Sequence, residues 1–147
     1  MIELPFRPGE FVWSAYPERE NPARPGPHHI GYVMAATGDL SGGTVFLAYT
    51  TSQVWSGATK PLGVYTFDRD EAAGMGQSRP FTLDLRRLAI VPATVEWFPL
   101  IETPGRGVVG RAAQRMREML EAVAKDLLQR RPDLIEQLGP VPPRGRR

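Results

Sequence analysis

In the first half of the chain, apolar and polar side chains alternate with a period of two, the spacing of a half-buried strand. Phe11, Trp13 and Ala15 share one phase and Val12 and Tyr16 the other, until Pro17 stops the pattern, which predicts a first strand. Ile30 to Ala36 predicts a second, mostly buried strand. Thr44 to Tyr49 predicts a third, because β-branched and aromatic residues suit a pleated surface. Gly38, Asp39, Gly42 and Gly43 supply the turn chemistry that makes these two a hairpin. Further short apolar runs, Leu62 to Phe67, Phe81 to Leu85 and Leu88 to Val91, recur at the spacing of a small barrel or sandwich. Glu18 to Pro27, with three prolines, a glycine and mixed charge, predicts an exposed loop.

After Gly105 and Gly107 the period changes to that of a helix. Ala112, Met116, Met119, Leu120, Val123 and Leu127 form one apolar stripe, predicting a helix from about Val109 to Arg130 with Met116 and Met119 on its buried side. Arg111, Arg115, Glu118, Glu121, Lys125 and Gln129 occupy the other side, Glu121 and Lys125 being a favourable four-residue pair, and Pro132 forces a break. Asp133 to Leu138 reads as one more turn. Gly139 to Arg147 has too few apolar groups to offset its ordering entropy, so a mobile tail is expected. The fold class is therefore α+β and mainly β. One domain is expected over residues 1–131, with the β portion at about 5–100 and the helix at about 109–130, followed by a short turn and a Pro- and Arg-rich tail over 132–147.

Composition narrows the chemistry. A chain of 147 residues fits one domain, which at this size buries roughly 68 to 70% of its unfolded surface. The absence of cysteine excludes disulfides and thiolate metal sites, and with His28 and His29 as the two imidazoles a zinc site is not expected. No cofactor is expected either. Met1-Ile2-Glu3-Leu4-Pro5 lacks a basic leader, and nowhere do 18 apolar residues run in succession. The expectation is a soluble, cytoplasmic protein with no membrane partner. The net charge is +2 and the pI about 9.3. With an arginine-heavy C-terminal third, these values allow an acidic partner such as nucleic acid.

The most informative stretch is Ala48-Tyr49-Thr50-Thr51-Ser52-Gln53, hydroxyl and amide side chains placed where an apolar strand runs out. Polar groups aimed from a strand end into a loop commonly build a small site on a rigid scaffold. Asn21 to His29 is a second loop, rich in basic residues, and the two together suggest a site for a phosphate backbone.

These residues resemble the PemK/MazF-like toxins of bacterial toxin and antitoxin pairs. Arg7-Pro8-Gly9-Glu10-Phe11-Val12-Trp13 looks like the family's opening strand, and Asn21-Pro22 through Pro25-Gly26-Pro27 is similar to the proline-rich loop of its PemK branch. Tyr49-Thr50-Thr51-Ser52-Gln53 resembles that branch's Tyr-Gly-Thr-Ser-Gln signature, with Thr50 in place of the glycine. Phe81-Thr82-Leu83-Asp84-Leu85-Arg86-Arg87, Val91-Pro92 and Glu96-Trp97-Phe98 look like its closing strands, so order and spacing match from about residue 5 to 125.

The resemblance implies an SH3-like small β-barrel with a long C-terminal helix, a homodimer, a cognate antitoxin protein as partner, and metal-independent endoribonuclease activity on single-stranded RNA. It also implies that Thr51 acts at the scissile phosphate, with Ser52 and Gln53 beside it. The chain departs from the family at the arginine. The family's Arg-Pro pair before strand two is here Ile30-Gly31, preceded by His28 and His29. Cleavage through the ribose 2′-hydroxyl needs a proton acceptor, a proton donor for the leaving oxygen, and positive donors for the developing phosphate charge. Histidine serves the first two roles near neutral pH, with an unperturbed pKa of about 6.5. The expectation is that His28 and His29 replace the arginine, with Thr51 and Arg24 assisting.

Plainer readings stand beside this one. A His-His pair after Pro-Gly-Pro is often a solvated loop feature, and Thr51 and Ser52 also serve as strand-end caps that bond nearby backbone amides. Arg86 and Arg87 are either contacts to RNA or to partner acids, or ordinary solvated charge. Trp13, by its strand phase, reads as core rather than as a base-stacking platform. Trp55, in a loop with Ser56-Gly57, is a candidate to stack on a base or anchor an antitoxin peptide. The alternative function is a catalytically silent relative that acts by binding, as a gyrase poison or a partner-binding module.

Overall fold

The computed structural model describes residues 4–38, 42–54 and 60–140. Strand β1 (Glu10–Ser14) buries both of its phases: Phe11 packs with Tyr32 and Phe81 on one side, Val12 with Val33 and Val45 on the other. The sheet is therefore covered on both faces. Its strands are β2 (His29–Thr37), β3 (Thr44–Thr51), β4 (Val64–Phe67), β5 (Phe81–Pro92), β6 (Val108–Arg111) and β7 (Glu136–Leu138). They lie in the order β4-β5-β3-β2-β1-β6, antiparallel throughout, with β7 added parallel to β5. β4 and β6 are the two ends of this order, so the ladder does not close into a barrel.

The expected strands at Phe81 to Leu85 and Leu88 to Val91 are one strand, β5. Opposite β3, Ala48 faces Leu88 while the next residue, Tyr49, faces Asp84, so residues 85–87 bulge out of the ladder. A bulge shifts the two-residue phase, which is why the sequence reads as two pieces. Val109 to Arg111, expected to be helical, belong instead to strand β6 paired with β1, and helix α2 runs from Gln114 to Arg130. Four residues are too few to display a period, and Ala112 happens to fit the stripe of the helix that follows.

One face is closed by the turns after β5, through Trp97, Phe98 and Ile101 against Phe6, and the other by the helices. Leu120 and Leu127 of α2 are fully buried there, with Met116 and Val123 half-buried beside them. Met119 is exposed instead, since it stands about 100° round the helix from Leu120.

Helix α1 (Arg69–Gly74) has no counterpart among the expected elements. Asp68 caps it: its carboxylate accepts from the Glu71 N–H at 2.8 Å, and the Glu71 carboxylate accepts from the Asp68 N–H at 2.9 Å. At the other end Gly76 takes a φ of 77°, and the Gly76 and Gln77 N–H groups donate back to Ala73 and Ala72. This turn presses on β6 so closely that a Cβ on Gly76 would lie 1.9 Å from the Val109 carbonyl oxygen.

Beyond Pro132 a 3-10 turn (Pro132–Leu134) leads into β7, where Leu138 is buried. The Gly139 N–H donates to the Pro22 carbonyl, and Arg19 forks onto both Glu136 oxygens at 2.7 and 2.9 Å. The exposed proline-rich loop is thus tied to β7 and the residue that follows it. Most of the expected tail, Val141 to Arg147, lies outside the described residues. Among the described residues no helix is long and apolar enough to cross a membrane.

Candidate functional site

The start of β2 and the end of β3 lie side by side, Gly31 facing Tyr49, and so bring His28 and His29 to Thr50, Thr51 and Ser52. These residues form one wall of an open cleft of about 520 Å³. Trp13 and Val109 also line it, as does the segment Gly76 to Phe81, including Gln77, Ser78 and Arg79. His28, His29 and Arg79 are the ionisable side chains among the described lining residues, and none of those residues is a carboxylate.

Buried Thr50 donates its hydroxyl to the Ile30 carbonyl at 2.6 Å, locking the two strand ends together. The Thr51 Oγ1 accepts the Gln53 N–H at 3.2 Å. This is the strand-end cap that the sequence allows, and it leaves the Thr51 hydroxyl proton free to donate. Ser52 is exposed on the rim, and Gln53 lies exposed just beyond it.

The two histidines differ. His28 is exposed, its ring edge-on to Trp13 at 5.9 Å. The His29 Nε2 meets the Thr50 carbonyl oxygen. A carbonyl only accepts, so the neutral ring carries its proton on Nε2 and presents Nδ1 as acceptor. His29 also stacks flat on Tyr49, ring centres 5.1 Å apart and planes at 2°. From β5, on the other side of β3, the Arg87 guanidinium sits 4.0 Å from the Tyr49 ring centre. Tyr16 meets Tyr49 edge-on and donates its hydroxyl to the Arg87 carbonyl at 2.9 Å. Burial pushes the Tyr16 phenol far above its ordinary value, Arg87 opposing the shift.

The remaining expected residues lie elsewhere. Arg24 lines a separate hollow with Glu18, Asn21, Pro25 and Gly26. Arg87 lines a small hollow of about 140 Å³ behind His29 and Tyr49. Arg86 forks onto Asp84 at 2.9 and 3.0 Å, and these hydrogen bonds raise its guanidinium above the ordinary arginine value. Trp55 lies outside the described residues. Trp13, expected in the core, is half-buried in the cleft lining.

Sequence reasoning missed Gln77, Ser78 and Arg79. The usable signals were Asp68-x-x-Glu71, a capping-box spacing, and Gly76, a helix-stop residue, which together forecast a short helix ending just before Gln77. No family model matches this sequence, and no curated protein matches it.

Proposed function

We propose that this cleft binds single-stranded RNA and cleaves its backbone without a metal, as the toxin component of a toxin-antitoxin pair. The observation that carries the reading is the cleft's charge: among its described lining residues the ionisable groups are two histidines and an arginine, with no carboxylate to repel phosphate. Such a site attracts a polyanion and supplies the groups that 2′-hydroxyl attack requires. One neutral imidazole of the pair, His28 or His29 through Nδ1, takes the 2′-hydroxyl proton. The 2′-oxygen attacks phosphorus, the bond to the 5′-oxygen breaks, and the other imidazole, protonated, supplies the leaving oxygen's proton. Arg79 neutralises the charge growing on the phosphoryl oxygens, a task that Arg24, in its own hollow, is poorly placed to perform. Thr51 and Ser52 donate hydroxyl hydrogen bonds to the same oxygens.

This reading treats the sheet as a variant of the SH3-like PemK/MazF barrel, in which the turn after α1, rather than a strand, bridges from β4 to β6. The close approach of Gly76 to Val109 supports it. Homodimerisation, a cytoplasmic setting and a cognate antitoxin belong to the same proposal.

The test is incubation of a long single-stranded RNA with the protein in EDTA. Discrete fragments are expected from the wild type. Losses of about 100-fold or more are expected in Thr51→Ala, Arg79→Ala and the double variant His28→Ala/His29→Ala, while Arg24→Ala keeps cleaving. Unchanged cleavage in the double histidine variant overturns the mechanism. Intact RNA at enzyme excess favours the binding-only reading, a gyrase poison or partner-binding module.

A further inference from the structure

We infer that the cleft contains a base-reading subsite, in which an unpaired nucleobase stacks on Trp13 and is selected by the Gln77 side-chain amide. This rests on the RNA reading above and adds what that reading leaves open, namely which residue chooses the base.

Gln77 lines the cleft, yet its Nε2 is shut off from solvent and has no hydrogen-bond partner. Buried donors are nearly always paired, so an exception in a cleft wall calls for an explanation. No hydrogen bond holds the Nε2 where it rests, so turning it toward an acceptor in the cleft sacrifices none of its own. The backbone beneath it is fixed. The Gln77 N–H is bound to Ala72, and Gly76 is wedged against Val109 and Gly110 with no room for a side chain. Only the side chain is left to adapt.

Trp13 lines the same cleft, half-buried, with its ring edge-on to His28. It belongs to the same phase as fully buried Phe11, yet it is part of the cleft lining, so an aromatic ring and the Gln77 residue border one space. Proteins that read single-stranded RNA combine these two parts, an aromatic ring for stacking and a polar group on a base edge. An amide offers one donor beside one acceptor, the complement of the N6 donor and N7 acceptor of adenine. A space of about 520 Å³ is of the size that accepts a small-molecule ligand, so a nucleotide fits with the phosphate toward Arg79 and Thr51.

The test separates base choice from cleavage by using 2′-O-methyl oligonucleotides, which lack the attacking hydroxyl. Binding of oligoadenylate, oligocytidylate and oligouridylate is measured by fluorescence anisotropy for the wild type, Gln77→Ala and Gln77→Glu. The expected result is a preference for oligoadenylate of about 5- to 100-fold, lost in Gln77→Ala. In Gln77→Glu, whose carboxylate only accepts, it moves toward oligocytidylate. A Trp13→Leu variant is expected to weaken all three by about 10-fold without changing their ranking. Equal binding of the three by the wild type, or a preference that survives Gln77→Ala, overturns the inference while leaving RNA binding intact. Failure to bind any of them overturns both readings, whereas base-selective binding without cleavage of RNA overturns the nuclease mechanism alone.

Discussion

Tyr16 shows how much one buried polar group can set. Its ring is 3% exposed, its hydroxyl is spent on the Arg87 carbonyl, and its edge supports Tyr49, on which His29 lies. Because burial raises its pKa in the fold, the neutral phenol is favoured there. Its contribution to stability is therefore complete below the unfolded value, about 10, and drains away as the pH climbs above it. The denaturant midpoint should fall between about pH 9 and pH 11. In Tyr16→Phe, which starts about 1 kcal/mol lower for the lost hydrogen bond, it should fall less steeply, Tyr32 supplying the remaining slope from its own raised pKa. Parallel falls in the two proteins would assign the alkaline loss to other groups. Single residues were unevenly legible. Thr51, Ser52 and the histidines were found because polar side chains at the ends of apolar strands announce themselves. Trp13 was misplaced because strand phase predicts a face and not a cover: β6 pairs with Val12 at Val108, and the cleft opens beside Trp13.

Among the elements, α1 matters out of proportion to its six residues. It carries no periodic signal, being too short to show one, and its identity rests on the Asp68 cap and the Gly76 stop. Yet the wall of the cleft that bears Gln77 and Arg79 hangs from its end. Asp68→Ala removes the carboxylate that accepts the Glu71 N–H, leaving the backbone N–H at position 68 to donate to Glu71, and should cost about 1 kcal/mol of stability in chemical denaturation. It should also weaken the RNA binding proposed for the cleft, although Asp68 is not among the lining residues. An unchanged denaturation curve would mean that packing of Ala72 and Met75, both buried, holds the turn without the cap. The longer strands and α2 were readable because their periods run for eight residues or more. Of the short elements, β1 and β4 were read from their apolar runs, while α1, β6 and β7 escaped, together with the bulge at 85–87 that splits β5 in the pattern.

At the scale of the molecule, β7, the last strand among the described residues, is part of the sheet. β7 pairs with Arg87 to Ala89, Leu138 is buried, and Gly139 bonds to Pro22. A chain ended after Arg131 should therefore lose roughly 1.5 to 3 kcal/mol, the value of one fully buried leucine side chain, and show a lower thermal midpoint. An unchanged midpoint would make residues 132–140 an appendage, in keeping with a domain that stops at 131.

The pairing of β1 with β6 has a consequence in time. Glu10 and Arg111 meet across 101 residues of sequence, a long-range closure that is slow to form because its loop entropy is lost before the contacts repay it. The cleft draws its parts from Trp13 at one extreme to Val109 at the other. During synthesis, then, Trp13 waits for Val109 to leave the ribosome before the cleft can take shape.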